Sequence, residues 1–162
     1  MTTIQAFNWA IDRLTAYLVK TTDTHLADCD DVGIDADGVW SLANDFRDGF
    51  TRPVKDISIV PRKGYVVAIN GLGCHANSFE SVEQWFNTVQ WFIHHTDWQE
   101  YLYIGGWHNQ DANRYELDIC VIFQERGKAV AFGMANDQIS VYDLDEGVEH
   151  KTGGSGGNYL PV

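Results

Sequence analysis

Residues 101–123 read YLYIGGWHNQDANRYELDICVIF, and their pattern decides the fold. In RYELDICVIF, Tyr115, Leu117, Ile119, Val121 and Phe123 fall at every second position, which puts them on one face of a strand. YLYIGGW is rich in aromatic and β-branched residues and reads as a second strand, with HNQDAN as a loose turn between the two. The stretch predicts a β-hairpin.

The flanking segments extend that hairpin into an order of elements. GYVVAING, residues 64–71, is a short apolar run closed by Asn70-Gly71 and predicts a strand and a turn. Phe79, Val82, Phe86, Val89 and Ile93 recur at helical spacing, and Asn77 and Glu80 stand at capping-box spacing before them, so 78–95 is a helix. ERGKAVAFGMANDQ, residues 125–138, predicts a second helix with a small apolar face of Ala129, Val130, Phe132 and Met134, weakened by Gly133. ISVYDL closes the set as a strand. The order from residue 65 is βαββαβ, which predicts an α+β fold with a ferredoxin-like antiparallel sheet and helices on one face.

Upstream, Ile4, Phe7, Ile11, Leu14 and Leu18 form the stripe of an N-terminal helix, with Thr2 or Thr3 as its cap. TTDTHLADCDDVGIDADG reads as a polar loop. A short helix around 39–46 and a connector containing Pro53 and Pro61 follow. The expected organisation is a helical extension and acidic loop over 1–63, an α+β core over 64–150, and a flexible Gly-rich tail over 151–162.

The chain has 162 residues, enough for one domain with a hydrophobic core. Its net charge is −12, with 23 carboxylates against 11 Lys and Arg, and the excess is uneven. Residues 1–64 hold ten acids and seven bases, a net of −3; residues 65–162 hold thirteen and four, a net of −9. No Lys or Arg occurs between Lys63 and Arg114. Phosphate recognition needs those cations, so direct nucleic-acid binding and an anionic membrane surface are both disfavoured. Cys29, Cys74 and Cys120 are odd in number and widely spaced, as expected of reduced thiols. The first residues show no signal-peptide pattern, and the expected compartment is the cytoplasm.

Candidate chemistry is sparse. Either calcium-loop register of the Asp-rich segment puts a non-acidic residue at a required position, Val39 at 12 when Asp28 is 1, Asn44 at 12 when Gly38 is 6. Cys74-His75 are neighbours that point to opposite sides of an extended chain. Gly71-Leu72-Gly73 lacks the spacing of a dinucleotide loop. An enzyme reading rests on His94, His108 and Asp118 alone, and no cofactor or metal is expected. A virion or assembly component, paired through the N-terminal helix, is a third reading. The stretch from Phe79 to Trp107 instead mixes aromatics with acids, the composition of an interaction surface. The partner-binding candidates are Glu80, Glu83, Trp85, Asp97, Glu100, Trp107, Asp111, Glu116 and Asp118.

Gly105, Gly106, Trp107, Leu117, Asp118, Arg126, Ala129, Gln138, Tyr142, Asp143, Leu144 and Gly147 together resemble the shared pattern of a family of small, mostly uncharacterised proteins of actinobacterial phages and mobile elements. Trp107, Tyr142-Asp143 and the acidity are also similar to DNA-mimicking antirestriction proteins. The resemblance implies a binding protein that inhibits a host protein, of the anti-restriction or anti-CRISPR type, by occupying a basic nucleic-acid-binding surface. The same residues have structural uses, since paired glycines permit close approach within a sheet.

Overall fold

The structure, a computed structural model, describes residues 2–17, 33–156 and 159–160. Leu18, the loop over 21–32 with Cys29, and residues 157–158 and 161–162 of the expected tail lie outside the described residues.

Helix α1 spans Thr3–Tyr17. Thr2 caps it reciprocally: its Oγ1 accepts from the Gln5 amide at 3.2 Å, and Gln5 Oε1 accepts from the Thr2 amide at 2.8 Å. The buried row is Ala6, Phe7, Ala10 and Leu14, rotated from the expected stripe so that the small alanines face inward; Ile4 is left 71% exposed. Phe7 stacks on Trp91 and packs on Phe92, with ring centroids 5.6 and 5.2 Å apart, so α1 is bound to its own domain. Helix α2, Ala36–Asp45, starts where Asp35 accepts from the Gly38 amide. Helix α3, Phe79–His95, is capped by Ser78 rather than Asn77, with the Ser81 amide donating to the Ser78 hydroxyl. A 3-10 turn, Gln99–Tyr101, follows it, and α4 spans Arg126–Ala135.

Among the described residues the sheet has seven strands: β1 Phe50–Pro53, β2 Tyr65–Ala68, β3 Cys74–Ala76, β4 Tyr103–Asn109, β5 Arg114–Phe123, β6 Ser140–Asp143 and β7 Val148–Lys151. All pairings are antiparallel, in the order β1-β4-β5-β2-β6-β7, with β3 also paired to β5. The hairpin of 101–123 is its centre. The expected βαββαβ sheet is enlarged by β1, β3 and β7. Strand β1 comes from the segment expected to be a helical extension, and α1 and α2 share the main core with the sheet, so residue 63 marks no break in packing.

Strands β2 and β3 are two halves of one interrupted strand. Ala68 pairs with Cys120 and Cys74 with Leu117, so Asn70–Gly73 loops out opposite Asp118 alone. Gly71, at φ 85°, makes the turn.

The two faces of the sheet differ. Tyr115, Leu117, Ile119, Val121 and Phe123 of β5 join the helices in the main core. Arg114, Glu116, Asp118, Cys120 and Ile122 point to the other face, which no helix among the described residues covers. There a small second cluster of Val66, Tyr103, Cys120 and Ile122 packs with Ala68 and Leu144.

The expected flexible tail is docked over its described residues. Lys151 belongs to β7, Thr152 is buried with its hydroxyl donating to the Gln138 carbonyl, and Ser155 donates through backbone and side chain to Asp137. Tyr159 bridges to Gly73, and buried Leu160 donates its amide to the Gly73 carbonyl at 2.7 Å.

Candidate binding site on the open sheet face

The register of the hairpin builds the site row by row. Trp107 of β4 stands opposite Glu116 of β5, which stands opposite His75 of β3. In the next row Gly105 stands opposite Asp118, and the looped-out Gly73 approaches the same carboxylate from the other side. Tyr159 lies over His75, ring centroids 3.8 Å apart. Asn109 and Arg114 pair at the hairpin end.

Glu116 is only 8% exposed. Its Oε1 accepts from Arg114 Nε at 2.9 Å and from Asn109 Nδ2 at 3.1 Å. Its Oε2 lies 2.9 Å from His75 Nε2 but receives no directed hydrogen bond. Partial burial lowers the pKa of His75, the Glu116 carboxylate opposing and Arg114 reinforcing that shift. Asp118 is half-buried, and its carboxylate has no ion-pair partner among the described residues. Loss of hydration, with the Glu116 charge adding to it, pushes Asp118 up to about 8. The Tyr159 phenol is raised by burial and then by Asp118 and Glu116.

Glycine is required where Asp118 is seated. A Cβ on Gly73 would fall 2.7 Å from the Leu117 carbonyl oxygen and against the Asp118 carboxylate itself. On Gly105 it would fall 3.1 Å from Cys120 Sγ. Gly73→Ala is therefore expected to destabilise the fold by about 1–3 kcal/mol, the usual cost of overpacking. Urea unfolding measures it, and an unchanged midpoint would show that the segment yields freely.

The structure divides the sequence-derived candidates. Trp107, at 47% exposure, Glu116 and Asp118 meet on the open face, and exposed Asp111 stands at the hairpin tip. Glu80 and Glu83 are exposed on α3, and Asp97 and Glu100 lie in the following connection, all on the helical side. Trp85 is corrected outright: it is 0% exposed, with Nε1 donating to the Leu72 carbonyl at 2.7 Å, and cannot touch a partner. Glu116, expected as a partner-binding residue, is buried and already held by Asn109, Arg114 and His75.

His94, His108 and Asp118 do not converge. His108 pairs with Tyr115 and faces the helices, its ring 4.8 Å from that of Tyr115, while Asp118 faces away from them. Among the described residues no three His, Cys, Asp or Glu side chains gather as a metal set. Cys74 and His75 do point oppositely: Cys74 is buried in the main core, its thiol pushed up by loss of hydration and by Asp118 and Glu116, while His75 is on the open face. His75, Asn109, Arg114 and Tyr159 were missed as site residues. For His75, Asn109 and Arg114 the signal was the period-two register of the hairpin extended to its neighbours; for Tyr159 no local signal exists.

No protein-family model, curated protein or solved structure matches the chain.

Proposed function

We propose that this protein is an acidic inhibitor that works by binding rather than by catalysis, occupying the basic surface of a protein that acts on nucleic acid. One observation carries the reading: a sheet face that no helix among the described residues covers leaves Trp107 exposed beside Glu116 and Asp118 in a chain of net charge −12. An exposed tryptophan ringed by polar groups has the chemistry of an interface anchor. A carboxylate field speeds encounter with a cationic groove and competes with nucleic acid for it.

In this reading the sheet core β4-β5-β2-β6, with α3 and α4, is a ferredoxin-like arrangement extended at both edges. The resemblance to phage and mobile-element proteins supports a partner inside the cell, in the cytoplasm. The partner in this reading is a host protein with a basic nucleic-acid-binding surface, such as a nuclease.

The test is capture on immobilised protein at about 50 mM salt, followed by titration of the captured protein's activity on DNA or RNA. The expected result is 1:1 inhibition that weakens by more than about tenfold between about 50 and about 500 mM salt. Trp107→Ala is expected to weaken it by about tenfold or more, a loss of at least about 1.4 kcal/mol. Inhibition indifferent to salt, or capture without inhibition, would rule the reading out.

A further inference from the structure

We infer that a cavity on the helical side of the domain is a binding site for a small organic carboxylate with an apolar body, separate from the open sheet face and independent of the inhibitor reading. The cavity has a volume of about 230 Å3 and lies between the residues that follow β1 and one face of α3. Phe86, Gln90, Ile93 and His94 recur along α3 at the spacing that puts them on that face. Buried Val54, Phe86 and Ile93 make an apolar floor, and Lys55, Gln90, His94 and Gln99 make a polar wall.

The charge of that wall runs against the rest of the chain. Acids outnumber Lys and Arg by 23 to 11, yet among the described residues none lines the cavity. Lys55 is half-buried there and has no ion-pair partner among the described residues. A cation partly removed from water with no carboxylate beside it carries a desolvation cost that a bound anion offsets. The neighbouring groups add donors: Gln90 Nε2 lies 3.5 Å from His94 Nε2, and Gln99 Nε2 gives one hydrogen to the Ile93 carbonyl at 3.2 Å and keeps a second. The Gln99 bond also occupies a carbonyl at the C-terminal end of α3, which would otherwise oppose an anion. One ammonium balances one negative charge, so the site favours a monoanion over a phosphate dianion. An apolar cavity of about 150 Å3 accepts benzene, so the larger volume here leaves room for a carboxylate on a ring of that size.

The probe is benzoate, with benzamide as its uncharged isostere, titrated into the full chain and followed by amide and side-chain chemical shifts. The expected result is a saturable shift centred on Val54, Lys55, Ile93 and Gln99, with nuclear Overhauser contacts from the ring protons to Phe86 and Ile93. Benzoate should bind at least about tenfold more tightly than benzamide, a comparison made on the unaltered protein. Lys55→Met keeps most of the stem and removes the charge. It should weaken benzoate by about tenfold or more while leaving benzamide binding and the urea midpoint unchanged. Equal affinities for the two probes would overturn the inference, as would benzoate binding unaffected by Lys55→Met. Shifts that fail to saturate and spread over exposed cations such as Arg62 and Lys63 would overturn it as well. None of these outcomes bears on the inhibitor reading, whose own test is capture and inhibition of the partner.

Discussion

Trp85→Ala is expected to lower the free energy of unfolding by about 3–5 kcal/mol, the range for removing a fully buried aromatic side chain. Trp85 has no exposed surface and shares the core with Val82, Phe86 and Val89 of its own helix. Its indole also donates to the Leu72 carbonyl, inside the segment that interrupts the β2/β3 strand. Truncation therefore leaves a cavity and an unpaired carbonyl together. Trp85→Phe keeps most of the volume and loses the hydrogen bond, at about 1 kcal/mol for the bond and somewhat more for the missing ring atoms. Trp107→Ala, on the exposed face, is expected to change stability by no more than about 0.5–1 kcal/mol. Urea unfolding of the three variants measures the contrast. Equal losses for Trp85→Ala and Trp107→Ala would mean that the two tryptophans are not divided between core and surface.

Asp118→Asn is expected to stabilise the protein at pH 8 and to do little at pH 4. The folded pKa is raised to about 8 by loss of hydration and by Glu116, whereas in the unfolded chain an Asp titrates near ~3.9. Between those values the folded state holds a proton that the unfolded state has lost. Stability is therefore fully present below about pH 4 and declines as pH rises through about 8, with a slope of up to ~1.4 kcal/mol per pH unit. Partial access to solvent reduces the total to the order of a few kcal/mol. The amide keeps the shape and removes the titration, so the variant's profile should be flatter over this range. Asp143 acts in the opposite sense: amide donation from Glu146, outweighing the effect of desolvation, and contacts with His150 and Asp145 depress its pKa, so its contribution is lost as pH falls through the folded value. Urea midpoints at four pH values between about 4 and about 8 decide the matter. Parallel profiles for the two proteins would mean that Asp118 is hydrated and ordinary.

What could be read in advance follows from how local its cause is. The β4/β5 hairpin and α3 carry their own periodicity, seven to ten residues of alternation in the strands and four turns of apolar stripe in the helix. Strands β1, β3 and β7 read FTRP, CHA and VEHK, three or four residues each, too short for a period and containing Pro, His and charges. They are strands because a neighbour with free backbone groups lies beside them. Trp85 was within reach of the sequence, since it lies three residues after Val82 and four before Val89, on their stripe. The acids and aromatics of 79–107 looked like one surface because they are contiguous in sequence. The sheet separates them, sending Glu80 and Glu83 to the helical side and Trp107 to the open one.

Asn70–Gly73 is four residues long and has almost nothing to gain from its own neighbourhood. Its anchors are Trp85 at Leu72, Asn136 Oδ1 at the Asn70 amide, and Leu160 at Gly73, the first two lying 13 and 66 residues along the chain. Closing contacts of such separation costs chain entropy that no nearby hydrogen bond repays. The segment thus orders only when the whole domain does, and it opens only when the whole domain opens. In hydrogen exchange the Asn70 and Leu160 amides are therefore expected in the slow, globally unfolding class although both sit outside the regular strands. A loop by shape is, in its thermodynamics, part of the core.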